Sequence, residues 1–120
     1  MNINVLILVL FLFFSSCSSD KEIKTSISTS DDVSLYNLGM KDLKKRKYEE
    51  SIDHFTELEI QYPYSTWASR GQLMIGFAHY SANEYDEAIL NLSKFVELNP
   101  NHELIPYAIY LKAYSYFERI

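Results

Sequence analysis

Tyr48-Glu49-Glu50-Ser51-Ile52 and Tyr85-Asp86-Glu87-Ala88-Ile89 are two copies of one stretch, and their relation decides the fold. A shift of 37 residues lays the first on the second. The same shift carries Leu38-Gly39 onto Ile75-Gly76, Phe55 onto Leu92, Leu58 onto Phe95 and Pro63 onto Pro100. Agreement of residue class at a single offset marks an internal repeat, and a repeat of this period means stacked copies of one supersecondary unit. Inside each unit the apolar residues recur at three and four, as in Leu35, Leu38, Met40 and Leu43, then Ile52, Phe55, Leu58 and Tyr62. That is the helical period, so each unit is a pair of helices. The spacing predicts helices over 33–45 and 48–61, then over 67–83 and 85–98. Pro63 and Pro100 close the second helix of each pair, because a proline has no amide hydrogen to continue the ladder.

The positions within the unit name the repeat. Gly stands at the eighth position (Gly39, Gly76), an aromatic at the seventeenth (Tyr48, Tyr85), a small residue at the twentieth (Ser51, Ala88) and Pro at the thirty-second (Pro63, Pro100). This is the tetratricopeptide pattern, with the residues beyond its usual 34 placed in the connection around Tyr64 to Trp67. The small residues let two antiparallel helices approach, and Tyr48, Phe55 and their counterparts fill the space beside them. A third copy starts at Pro106 and is expected to run as a helix to Ile120, with Ala113 in the glycine position. Its partner helix is absent, so the chain reads as the N-terminal part of a longer protein. The expected fold is all-α, a helix-pair solenoid of two complete repeats (33–65 and 66–102) and the first helix of a third (103–120).

Ahead of the repeats the composition changes. Every charged side chain lies at Asp20 or beyond, and Val5 to Phe14 is an unbroken apolar run. Ten residues are too few to span a bilayer as a helix but suit the core of an export signal. The chain's single cysteine, Cys17, follows at once within Ser15-Ser16-Cys17-Ser18-Ser19. This resembles the acylation site of bacterial lipoproteins, with Phe14 where such sites usually carry Leu and no basic residue before the apolar run. Residues 1–16 are accordingly expected to be a signal peptide, Cys17 the lipidated residue, and 17–32 a flexible Ser- and Thr-rich tether. A lone Cys excludes an internal disulfide and a cysteine zinc site. The net charge of −5, from 16 acidic against 11 Lys and Arg, argues against nucleic acid as a partner.

Leu98-Asn99-Pro100-Asn101-His102, followed by Tyr107, Tyr110 and the small Ala113, together with Gln61-Tyr62-Pro63-Tyr64 and Tyr80, resembles the BamD family of outer-membrane protein assembly factors. The resemblance covers about 33–120, and the order of signal, cysteine, tether and helix pairs agrees with it. It implies five helix pairs, of which this chain holds roughly the first half. It further implies a non-catalytic lipoprotein of the barrel assembly machinery, anchored in the outer membrane and facing the periplasm. Such a protein works with a BamA-like barrel assembly protein and other assembly lipoproteins. The family's BamA contact lies largely in C-terminal repeats outside this chain, so no residue here inherits it. Two other readings stay open: a tetratricopeptide pilotin lipoprotein for secretin assembly, and the helical arm of a lipoprotein enzyme.

In tetratricopeptide folds the second, fifth, ninth and twelfth positions of each first helix face a concave groove. The candidate groove residues are Tyr36, Met40, Arg70, Phe77, Tyr80, Tyr107, Tyr110 and Tyr114, with Lys44 at its edge. Rings with hydroxyl tips can hold an extended peptide, and Arg70 can take a carboxylate. The C-terminal segments of nascent outer-membrane barrels, with an aromatic residue and a free carboxylate, would suit such a groove. The alternative is that these rings pack against neighbouring helices. Lys41 to Lys47 carries five basic residues and one Asp, either a solvated turn or a contact for anionic headgroups or an acidic partner. No catalytic motif is present, no cofactor is implied, and His54, His79 and His102 are scattered. His79 is expected to pack and His102 to order the start of the next helix.

Overall fold

The computed structural model describes residues 30–120. The expected signal peptide, Cys17 and all but the end of the tether lie outside the described residues. Five helices follow in order: α1 (Asp31–Lys44), α2 (Tyr48–Gln61), α3 (Thr66–Ser81), α4 (Tyr85–Leu98) and α5 (Ile105–Glu118). The described residues contain no strand, and the architecture is all-α. Each helix packs on the next, and α1 also meets α3 as α3 meets α5. The backbones of α2 and α4 stay apart, joined through the long side chains of Lys94 and Glu59, paired at 2.9 Å. First helices touching while second helices diverge is the curvature of a tetratricopeptide-like solenoid, with α1, α3 and α5 on its inner side.

The repeat is exact enough to be seen in backbone angles. Lys45 (φ −85°, ψ 3°) matches Ala82 (φ −84°, ψ 3°), Lys47 (−88°, 74°) matches Glu84 (−91°, 69°), and Tyr62 (−131°, 57°) matches Asn99 (−128°, 56°). Tyr62 and Asn99 each precede a proline, whose ring excludes the helical conformation from the residue before it. The turns inside the pairs are stopped differently. Arg46 (φ 61°) and Asn83 (φ 62°) take the left-handed conformation. Lys47 N then donates to Asp42 O and Arg46 N to Leu43 O, as Glu84 N does to His79 O and Asn83 N to Tyr80 O. This six-to-one and five-to-two pairing is the Schellman closure, and it satisfies the last carbonyls of α1 and α3.

Glycine and small residues set the approach of the helices. A Cβ on Gly39 would lie 2.6 Å from the Phe55 ring, and one on Gly76 would lie 2.7 Å from Leu92. Phe55, Leu58, Leu92 and Phe95 are fully buried. The cluster of Leu73, Ala88, Leu92, Phe95, Ala108 and Leu111 runs through α3, α4 and α5, so burial is continuous from one pair to the next.

Helix ends differ from expectation by up to two residues. α1 starts at Asp31 instead of Val33, because Asp31 and Asp32 in the first turn favour the positive end of the helix dipole. α3 starts at Thr66 behind the Ser65 cap, whose side chain accepts from Trp67 N, and stops at Ser81, where the Schellman turn begins. α5 starts at Ile105, with Pro106 inside its first turn, and ends at Glu118 instead of running to Ile120.

Candidate partner groove

Two groups of side chains stand on the inner helices. The first is a tyrosine cluster built where α3, α4 and α5 meet. Tyr80 of α3 lies 6.0 Å edge-on to Tyr114 of α5 and 5.8 Å from Tyr85 of α4, measured between ring centroids. Tyr110 stacks on Tyr114 at 6.0 Å, one helical turn apart, and Tyr114 continues to Phe117 at 6.1 Å. Tyr80 is half-buried against the core cluster. Its hydroxyl is pushed above the ordinary tyrosine value by burial first, then by the Tyr114 hydroxyl and the Glu118 carboxylate. Tyr107, Tyr110, Tyr114 and Phe117 leave 40 to 68% of their surface open, which makes α5 an apolar, aromatic surface facing water.

The second group surrounds Arg70 at the start of α3. Its guanidinium carbon sits 5.3 Å above the Trp67 ring, a cation–π contact, and Nη2 is 3.1 Å from Glu103 Oε1. Thr66, Ser69, Arg70, Asn101, His102 and Glu103 line a polar cleft of about 340 Å³ there. Trp67 in turn packs on Tyr36 at 4.9 Å, and Tyr36 on the buried Phe55 at 5.6 Å. Burial raises the Tyr36 hydroxyl and the nearby Arg70 charge partly offsets it. The arrangement already holds one carboxylate, that of Glu103, against a stacked guanidinium.

The nine residues expected at the groove therefore divide. Tyr80, Tyr110 and Tyr114 are brought together, and Tyr107 flanks them on α5. Tyr36 and Phe77 are half-buried in packing between helices, and Met40 is half-buried on α1. Lys44 is exposed at the C-terminal end of α1 and makes no ion pair there. Three participants were not among the nine. Trp67 stands in the first turn of α3, where the spacing puts the edge of the extra residues between pairs, Tyr85 holds the position expected to fill the pair interior, and Glu103 has no motif around it.

The histidines keep to local work. His102 Nδ1 accepts from Leu104 N at 3.1 Å and its ring lies edge-on to Phe95, which orders the approach to α5. His79 packs at 16% exposure with Nδ1 2.6 Å from Glu84 Oε2, and His54 Nδ1 lies 3.0 Å from Asp42 Oδ2. Among the described residues no group of His, Cys, Asp and Glu is placed to hold a metal ion. None of the described helices is long and apolar enough to cross a membrane.

The sequence model of the YfiO family, described as outer membrane lipoprotein, matches residues 28–120. The chain belongs to the YfiO/BamD family. It is 45% identical over 86 residues to the outer membrane protein assembly factor BamD of Caulobacter vibrioides, covering 72% of this chain and 28% of that protein. It is 32% identical over 111 residues to BamD of Rickettsia prowazekii, covering 92% and 43%, and 28% identical over 109 residues to BamD of Neisseria meningitidis serogroup B, covering 88% and 41%. The chain thus spans less than half the length of these curated relatives. Every helix of the groove falls within the part matched by the YfiO family.

Proposed function

We propose that this BamD-family chain is a non-catalytic scaffold of the barrel assembly machinery, anchored to the outer membrane through an acylated Cys17 and facing the periplasm. In this reading it helps β-barrel proteins fold and insert by holding partner and client segments, alongside a BamA-like barrel assembly protein and other assembly lipoproteins. Its relatives are named outer membrane protein assembly factors, which supports that role over a pilotin or an enzyme arm. The observation that carries the mechanism is the pairing of an open tyrosine surface on α5 with a guanidinium on α3 that is already suited to a carboxylate.

An extended peptide with aromatic side chains and a free C-terminal carboxylate meets both needs. Arg70 and Tyr80 lie ten residues, about 15 Å, apart along α3, so an aromatic side chain four or five residues before the peptide's C-terminus can enter the tyrosine cluster, where aromatic contacts contribute about 0.5–1.5 kcal/mol beyond area burial. Its terminal carboxylate can exchange with Glu103 at Arg70 through charge-assisted hydrogen bonds. Because the Arg70–Glu103 pair is solvent-exposed, its loss costs little, about 0–1 kcal/mol, so exchange is easy. The test is fluorescence anisotropy of a labelled peptide ending in Phe, as free acid and as amide, with the full-length gene product. The free acid is expected to bind several-fold more tightly than the amide, and Arg70→Gln to abolish the difference. Equal binding of acid and amide would contradict the role given to Arg70, and no binding of either would contradict the groove.

A further inference from the structure

Five of the nine basic side chains after residue 30 lie within seven residues, Lys41, Lys44, Lys45, Arg46 and Lys47, at the turn that joins α1 to α2. All five are exposed. The ion pairs among the described residues are His54–Asp42, Arg70–Glu103, His79–Glu84, Lys94–Glu59 and Arg119–Asp86, and none engages these cations. Asp42, the acidic residue inside the run, faces His54 instead. Arg46 Nε donates to the Tyr48 hydroxyl at 3.3 Å, a contact that leaves its charge uncompensated. Glu49 and Glu50 follow in the first turn of α2, and Glu49 lines the cleft on the side of His79 and Glu84.

The fold does not need this charge. The matching turn of the second repeat has the same backbone angles and the same Schellman closure, and carries Ser81, Ala82, Asn83 and Glu84 in place of Lys44, Lys45, Arg46 and Lys47. Lys41 and Lys44 suit the negative end of α1, but two others stand against local preference. Arg46 takes a left-handed conformation that disfavours side chains other than Asn, Asp or Gly. Lys47 is the residue preceding α2, where a positive charge opposes the helix dipole and where it makes no capping bond. A charge kept at two unfavourable positions of an exposed turn points to something external.

We infer that the α1–α2 turn is an electrostatic contact for the anionic phospholipid surface to which the chain is anchored. Four of the five are lysines, flexible point charges suited to a fluid layer of headgroups rather than to one fixed carboxylate geometry. Ser30 lies thirteen positions beyond Cys17, a length that extends to at most about 45 Å, and α1 itself is about 21 Å long. The turn is therefore within reach of the membrane from an acylated Cys17, and anchoring supplies the effective concentration that makes a weak contact count. This inference rests on the proposed anchor for its source of proximity, and its test reads the turn separately from the anchor.

The full-length gene product, purified in detergent and reconstituted into vesicles, is treated with an amine-acylating reagent, and modification rates at single lysines are read by mass spectrometry. In phosphatidylcholine vesicles containing one-third phosphatidylglycerol, Lys44, Lys45 and Lys47 are expected to react about fivefold more slowly than in pure phosphatidylcholine. Lys94, paired to Glu59, is expected to be unchanged, and salt at about 0.5 M to restore the rates. Equal rates in both vesicle types would overturn the inference. Protection in native membranes but not in phosphatidylglycerol vesicles would overturn it in favour of an acidic protein partner. Failure of the chain to float with any vesicle would instead contradict the anchor at Cys17, and the same footprint with vesicles added from outside would still decide the turn.

Discussion

The Ser51 hydroxyl donates to the Gly39 carbonyl oxygen at 2.7 Å, joining α1 to α2 at a buried point where Gly39 has no side chain to hold the helices apart. The two residues occupy the twentieth and eighth positions of the repeat, so one contact explains both small-residue positions. In the second pair the same place holds Ala88 and Gly76, closed by apolar packing of Leu92 alone.

Gly39→Ala is expected to destabilise the fold by about 1–3 kcal/mol, since the new methyl meets a Phe55 ring that is itself fully buried. Ser51→Ala is expected to cost about 1 kcal/mol, the loss of one buried hydrogen bond. Urea unfolding followed by circular dichroism measures both. A neutral Gly39→Ala would show that the helices do not depend on this approach.

Arg46→Asn should stabilise the protein by about 0.5–1 kcal/mol, because it places in the left-handed turn the residue type that Asn83 already provides in the other repeat. The midpoint of thermal unfolding reports the change. A lower midpoint would mean that Arg46 makes a structural contribution beyond its contact with Tyr48.

These elements show where sequence reading succeeds. Gly39, Ser51 and Phe55 were legible because a repeat fixes register, and register fixes which positions face each other. The helix pairs, the proline stops and the inner placement of Tyr80, Tyr110 and Tyr114 follow from the same periodicity. What escaped is what depends on the curvature of the stack. Arg70 meets Glu103 across 33 residues of sequence, Trp67 packs on Tyr36 from the first turn of α3, and Asp32 reaches Ser65. No periodicity encodes such contacts. Arg46 and Asn83 look unrelated as residues, and their common left-handed backbone appears only in the angles.

Tyr110→Ala removes a ring that is 61% exposed, and its effect on stability should stay within about 0.5 kcal/mol. Binding of a Phe-terminated peptide should weaken by about two- to tenfold, the range of one aromatic pair. Tyr80→Phe keeps the ring against the core and removes the hydroxyl, so its effect on the same anisotropy assay separates packing from hydrogen bonding. Unchanged affinity in both variants would place the peptide elsewhere.

Asp32 ties the start of α1 to the loop before α3. Its carboxyl is held below the ordinary value by the Ser30 hydroxyl first and the Ser65 hydroxyl next, the latter bond being 2.5 Å. A carboxylate with a lowered folded value stabilises the fold above its unfolded value, and that contribution disappears as pH falls through the folded one. Stability should therefore decline below about pH 4, and the decline should be shallower in Asp32→Asn. Denaturant midpoints across that pH range measure it. Identical acid limbs in the two proteins would remove Asp32 from the account.

A place in the barrel assembly machinery is tested by co-purification. The tagged native gene product is extracted from membranes in mild detergent and its associated proteins are identified by mass spectrometry. An integral β-barrel protein carrying soluble periplasmic repeats is expected to co-purify, together with other lipoproteins. Recovery of a secretin, or of no membrane protein at all, would contradict it.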